Sequence, residues 1–83
     1  MRKLLLLPSA KKDIDSLPDH IFKKIKEKLL ILKDNSRPSG CIKLTSEEGY
    51  RLRSGDYRIL YRIDDKERAV YIYKIKHRRE AYR

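Results

Sequence analysis

At Cys41 the spacing of apolar residues changes from that of a helix to that of a strand. Upstream, Ala10, Ile14 and Leu17 recur at i, i+4 and i+7, and Ile21, Ile25, Leu29 and Leu32 at i, i+4, i+8 and i+11, the stripes of two amphipathic helices. Downstream, apolar and polar residues alternate in short runs cut by Ser54-Gly55-Asp56 and Asp64-Asp65-Lys66-Glu67, both rich in turn-forming residues. A helical half followed by a stranded half within 83 residues predicts one α+β domain spanning 1–83, with a thin core and its site on the surface.

The pattern fills in the elements. Arg2 to Leu7 is a short apolar run stopped by Pro8, expected as a buried strand. Pro8 or Ser9 opens the first helix; Pro18 ends it and begins the second, where Asp19 favours the positive helix end and Lys23, Lys24, Lys26 and Lys28 coat the outer face. Residues 35–40 form the loop that leaves this αα-hairpin. Period-two runs then follow at Cys41–Thr45, Glu48–Arg53, Tyr57–Ile63 and Arg68–Lys76, predicting an antiparallel meander. The expected order is β-α-α-β-β-β: a small twisted antiparallel sheet with an N-terminal helical hairpin packed on one face. Alternation places Tyr57, Ile59, Tyr61 and Ile63 toward the helices and Arg58, Leu60 and Arg62 away from them, with Arg51 and Arg53 alongside if the hairpin register allows.

Charge points to the partner. Twenty-two Lys and Arg face 12 Asp and Glu, a net +10. The excess is spread evenly, because residues 1–41 hold 10 basic and 5 acidic residues and residues 42–83 hold 12 and 7, or +5 each. It peaks at the end, where Lys74, Lys76, Arg78, Arg79 and Arg83 oppose Glu80 alone. Five tyrosines (50, 57, 61, 71 and 73) are interleaved with these cations, and Tyr82 follows them. Cations alternating with aromatic faces suit a nucleic acid or a ribosome, the bland alternative being a well-solvated basic face. A single cysteine, Cys41, excludes an internal disulfide and favours a cytoplasmic setting. The start, Met1-Arg2-Lys3 and then Leu4 to Leu7, is too short for the apolar stretch of about 7–15 residues that a signal peptide needs, and no segment can span a bilayer.

Several chemistries lack their parts. Glycines at 40, 49 and 55 make no phosphate loop, and His20 and His77 stand far apart with no Cys or carboxylate cluster, so neither a metal nor a cofactor is expected. Cys41 fits a small core residue, and Asp64-Asp65 fit a turn. The remaining Arg, Lys, Tyr and His suffice for one reaction, metal-free RNA cleavage by the RNA's own 2′-hydroxyl. That reaction needs a base, cations for the phosphorane and an acid for the leaving 5′-oxygen. Tyrosine ionises to only about one part in 10³ at pH 7, and neighbouring cations raise that fraction. The same residues equally describe a basic surface that binds without chemistry.

The stretch Gly49-Tyr50-Arg51-Leu52-Arg53-Ser54-Gly55-Asp56-Tyr57-Arg58-Ile59-Leu60-Tyr61-Arg62-Ile63, closed by Lys76-His77-Arg78-Arg79-Glu80-Ala81-Tyr82-Arg83, resembles the RelE/ParE superfamily of toxin–antitoxin toxins, and the RelE branch most closely. The resemblance implies a ribosome-dependent, metal-independent endoribonuclease that cuts mRNA in the A site and inhibits translation. It also implies a cognate antitoxin whose acidic, RelB-like segment wraps the toxin. Carried over by position, Arg58 is the hairpin arginine, Arg51 and Arg53 the preceding strand cations, Arg78 the terminal-motif arginine and Tyr82 the general base. His77 is the alternative acid or base, and Arg62, Lys74, Lys76, Arg79 and Arg83 complete the RNA- or ribosome-binding set. Two other readings stay open: a ParE-like, non-nucleolytic inhibitor of DNA gyrase, and a degenerate member that binds RNA or the ribosome without cutting.

Overall fold

The computed structural model describes residues 2–45 and 48–77. β1 (Lys3–Leu6) leads into α1 (Pro8–Asp15) and α2 (Asp19–Asp34), and these are followed by β2 (Ile42–Lys43), β3 (Tyr50–Ser54), β4 (Tyr57–Asp64) and β5 (Ala69–His77). The strands form one sheet in the order β1-β5-β4-β3-β2. The expected α+β plan, a helical hairpin on one face of a small sheet, is present, and three details differ. The sheet is mixed, because β1 runs parallel to β5 from Lys3 opposite Ala69 to Leu6 opposite Ile72, while every other pair is antiparallel. The helices carry the chain to the far edge, and successive hairpins bring β5 back beside β1 pointing the same way. The strand expected at Cys41–Thr45 forms only as the two-residue edge ladder Ile42–Lys43 on β3, so the sheet has five strands where the order β-α-α-β-β-β shows four. Finally, β1 is a largely exposed edge strand and not a buried one.

Local chemistry explains the helix ends. Pro8 occupies the first turn of α1, where its missing N–H costs nothing, and the Ser16 hydroxyl and N–H both donate to the Asp13 carbonyl to close the helix. Pro18, held extended, precedes α2, with Asp19 in the first turn and Lys33 in the last. The Arg2 N–H and guanidinium donate to the Lys33 and Asp34 carbonyls, which ties β1 to the end of α2. Ala10, Ile25, Leu29 and Leu32 then pack on Leu52, Ile59, Tyr61, Val70, Ile72 and Ile75. Tyr61 is fully buried; its hydroxyl donates to the Ser36 carbonyl at 2.9 Å and its ring stacks on Tyr50 at 5.7 Å.

β5 breaks strict alternation. Leu60 pairs with Lys74 and Tyr61 with Ile72, so Tyr73 is an extra residue bulged out of the ladder. The bulge keeps both Ile72 and Ile75 in the core while Lys74 and Lys76 stay on the other face. Among the described residues no helix is long and apolar enough to cross a membrane.

Candidate functional site

The sheet face opposite the helices gathers the cations. Gly55 takes φ +60° in the two-residue turn between β3 and β4, which pins the hairpin so that Arg53 lies opposite Arg58 and Arg51 opposite Leu60. On the other side of β4, Lys76 lies opposite Arg58 and Lys74 opposite Leu60. With strands about 4.8 Å apart, Arg53, Arg58 and Lys76 form a row of three positive side chains roughly 10 Å across. Leu60, one pleat further along, is buried despite lying on this face. Beyond it, Arg62 lies opposite Tyr71, with its guanidinium 5.9 Å from the ring centre. The hairpin register thus joins Arg51 and Arg53 to the face that alternation assigned to Arg58 and Arg62.

The cations differ in their ties. Arg51, Arg53, Arg62 and Lys76 make no side-chain hydrogen bond or ion pair among the described residues. Lys74 is engaged: its ammonium lies 3.1 Å from Asp13 Oδ1 and 3.4 Å from the Ser9 hydroxyl, while Asp13 Oδ2 accepts the Ile75 N–H at 3.0 Å. Asp13 thereby covers the edge that β5 exposes beyond the end of β1. His77 pairs with Tyr57 on the helix side of the sheet and meets its ring edge-on at 5.0 Å, away from the Arg58 row. Arg78, Arg79, Tyr82 and Arg83 lie outside the described residues. No cluster of three or more His, Cys, Asp or Glu converges among the described residues.

One cluster escaped the sequence altogether. Arg37, in the loop after α2, donates to both carboxylate oxygens of Asp65 at 3.3 and 3.1 Å and to the Tyr50 hydroxyl at 3.2 Å, with its guanidinium 5.4 Å from the Tyr50 ring centre. Hydrogen bonding from Arg37 holds the Asp65 carboxyl below its ordinary value, and the same contact raises the guanidinium. An arginine in a loop and an aspartate 28 positions on in a turn carry no signal linking them. Tyr61 is excluded as a proton carrier, because burial first and the neighbouring Cys41 second push its phenol further from ionisation.

Fold and face define a class: a small α+β domain with a helical hairpin on one side of its sheet and a cation-lined hairpin on the other. The chain belongs to the RelE/ParE superfamily of type II toxin–antitoxin toxins; the family model described as "ParE toxin of type II toxin-antitoxin system, parDE" matches residues 4–82. RelE1 of Methanocaldococcus jannaschii is 36% identical over 76 residues, covering 87% of this chain and 84% of that protein. The toxin–antitoxin complex RelBE2 of Mycobacterium tuberculosis contains a chain superposing with a TM-score of 0.81 at 30% identity, over 93% of this chain and 98% of that one. A chain of the archaeal RelE–RelB complex of Pyrococcus horikoshii gives 0.79 at 26% identity, over 93% and 94%.

Proposed function

We propose that this toxin is a ribosome-dependent endoribonuclease that cuts mRNA in the A site, restrained by a RelB-like antitoxin. The observation that carries the reading is the row Arg53–Arg58–Lys76. Three cations side by side on neighbouring strands offer charge-assisted hydrogen bonds to a phosphate lying across them. In the reaction the 2′-oxygen gives its proton to a base and attacks phosphorus. A 2′,3′-cyclic phosphate forms, the bond to the 5′-oxygen breaks, and that oxygen takes up a proton. Arg58, with Arg78, stabilises the phosphorane oxygens; Arg51, Arg53 and Lys76 hold the flanking backbone, and Arg62, Lys74, Arg79 and Arg83 complete the RNA- or ribosome-binding set. His77 faces the other side of the sheet. Tyr82 is therefore the residue we assign as base.

The ribosome enters for a physical reason. The face is an open sheet, and holding RNA in line for attack contributes roughly 7 kcal/mol or more, which an enclosing partner supplies better than a flat surface. The antitoxin reading is supported by the RelE–RelB and RelBE2 complexes among the solved relatives and by a net charge of +10 that attracts an acidic segment. A second reading, gyrase inhibition, is favoured by the ParE description of the matching family model. Arg58→Ala separates them: it is expected to slow cleavage of ribosome-bound mRNA by about 10²–10³-fold, the size of losing one donor to the developing charge. Cleavage at the wild-type rate would remove Arg58 from the site, and inhibited supercoiling without any cleavage would select the gyrase reading.

A further inference from the structure

The open face carries a second row that the cleavage chemistry does not use. Leu5 of β1 lies opposite Tyr71 of β5, which lies opposite Arg62 of β4. Leu5 is apolar yet 41% exposed, and the Arg62 guanidinium rests over the Tyr71 ring with no hydrogen bond or ion pair among the described residues. Beside the row opens a cleft of about 360 Å³ lined by Glu48, Arg62, Ile63, Asp64, Asp65 and Tyr71.

We propose that this row is a stacking platform for one unpaired nucleobase bearing an exocyclic amino group, a second RNA subsite on the toxin. A half-buried aromatic ring between an exposed apolar side chain and a guanidinium offers a base an edge of its π face and a cation. The carboxylates at the cleft repel phosphate and accept from amino hydrogens, which fits a base edge and not the backbone. Asp65 is engaged by Arg37, and Asp64 Oδ1 accepts the Glu67 N–H. Glu48 is the one of the three whose carboxylate has no tie among the described residues, and it is the one assigned to read the base. Arg62 stands four residues along β4 from Arg58, about 13 Å, so the stacked base lies a few nucleotides from the scissile phosphate. The platform contributes affinity and a base preference at a distance from the reaction.

The proposal rests on RNA being the substrate, and it is tested by binding, not by cleavage. The chain has no tryptophan, so Tyr71→Trp puts a single fluorophore in the row. The full chain is titrated with 2′-O-methyl tetranucleotides, which lack the attacking hydroxyl. One carries adenine, the other purine riboside, which differs only by the missing 6-amino group. Both are expected to quench the Tyr71→Trp emission. By anisotropy, Tyr71→Leu should bind the adenine oligomer roughly 5- to 150-fold more weakly than wild type, and Tyr71→Phe as well as wild type. Wild type should favour adenine over purine by roughly tenfold, and Glu48→Ala should abolish that preference. Unquenched emission, or unchanged affinity in a Tyr71→Leu variant whose melting curve shows it folded, overturns the platform. So does a Tyr71→Leu variant that loses only antitoxin affinity, which would make the row a protein contact. A wild type that binds the oligomers, with Tyr71→Trp quenched by them, but that never cuts ribosome-bound mRNA refutes the nuclease reading and leaves the platform standing.

Discussion

Gly49 shows what a single residue settles on this face. Its φ is +118°, and a Cβ there would stand 2.5 Å from the Tyr61 carbonyl oxygen, a backbone atom that cannot swing aside. Gly49→Ala is expected to cost on the order of 1–3 kcal/mol, a fall in Tm of several degrees for a domain this small, measurable by circular dichroism. The sequence places this glycine inside the expected run Glu48–Arg53, and the reason that it stands just ahead of β3 lies across the sheet. Arg37 and Asp65 belong to the same scale. The Asp65 carboxyl titrates lower folded than unfolded, so the pair stabilises fully above the unfolded value near 4 and is lost as pH falls through the folded value. Wild type should therefore lose more Tm between pH 6 and pH 3 than Asp65→Asn, with the gap narrowing in high salt because the pair is exposed. Parallel acid profiles would show that the contact contributes nothing to folding.

Among the elements, the helices and the β3–β4 hairpin were the most legible. Their apolar stripes and alternation come from neighbours close in sequence, and Ile25, Leu29, Leu32, Ile59 and Tyr61 all reach the core. β5 was legible only in part. The interval from Ile72 to Ile75 breaks the period of two, and the bulge at Tyr73 is the structural form of that break. The parallel pairing of β1 with β5 leaves no local trace, because each partner's identity depends on where two helices return the chain. Nor does the pairing of Asp13 with the β5 edge. Asp13→Ala would leave the Ile75 N–H without its acceptor and the Lys74 ammonium with the Ser9 hydroxyl alone, at about 1–3 kcal/mol. Asp13→Asn retains an oxygen for the N–H and should recover most of that loss in thermal melts; equal destabilisation by both variants would place the value in the ion pair.

At the scale of the whole molecule, a net +10 on 83 residues is divided by the fold: lysines coat the outer face of α2, and arginines and lysines gather on the open side of the sheet. The second grouping is the candidate site, and part of it was legible. Alternation within β4 separated Arg58 and Arg62 from the core residues, whereas the place of Arg51 and Arg53 beside them hung on a hairpin register that only the structure supplies. The contribution of Lys76 to the row, the engagement of Lys74 by Asp13 and the turning of His77 toward Tyr57 depend on the β5 bulge and register. What this arrangement is for comes down to whether a flat cationic sheet needs the ribosome to hold its substrate. The most direct measurement is primer extension on one mRNA, naked or engaged by ribosomes in a purified translation system, with wild-type toxin. Cuts confined to A-site codons of the ribosome-bound message, and faster there by several orders of magnitude, are the expected result. Equal cleavage of both messages, or cleavage of neither, would contradict it.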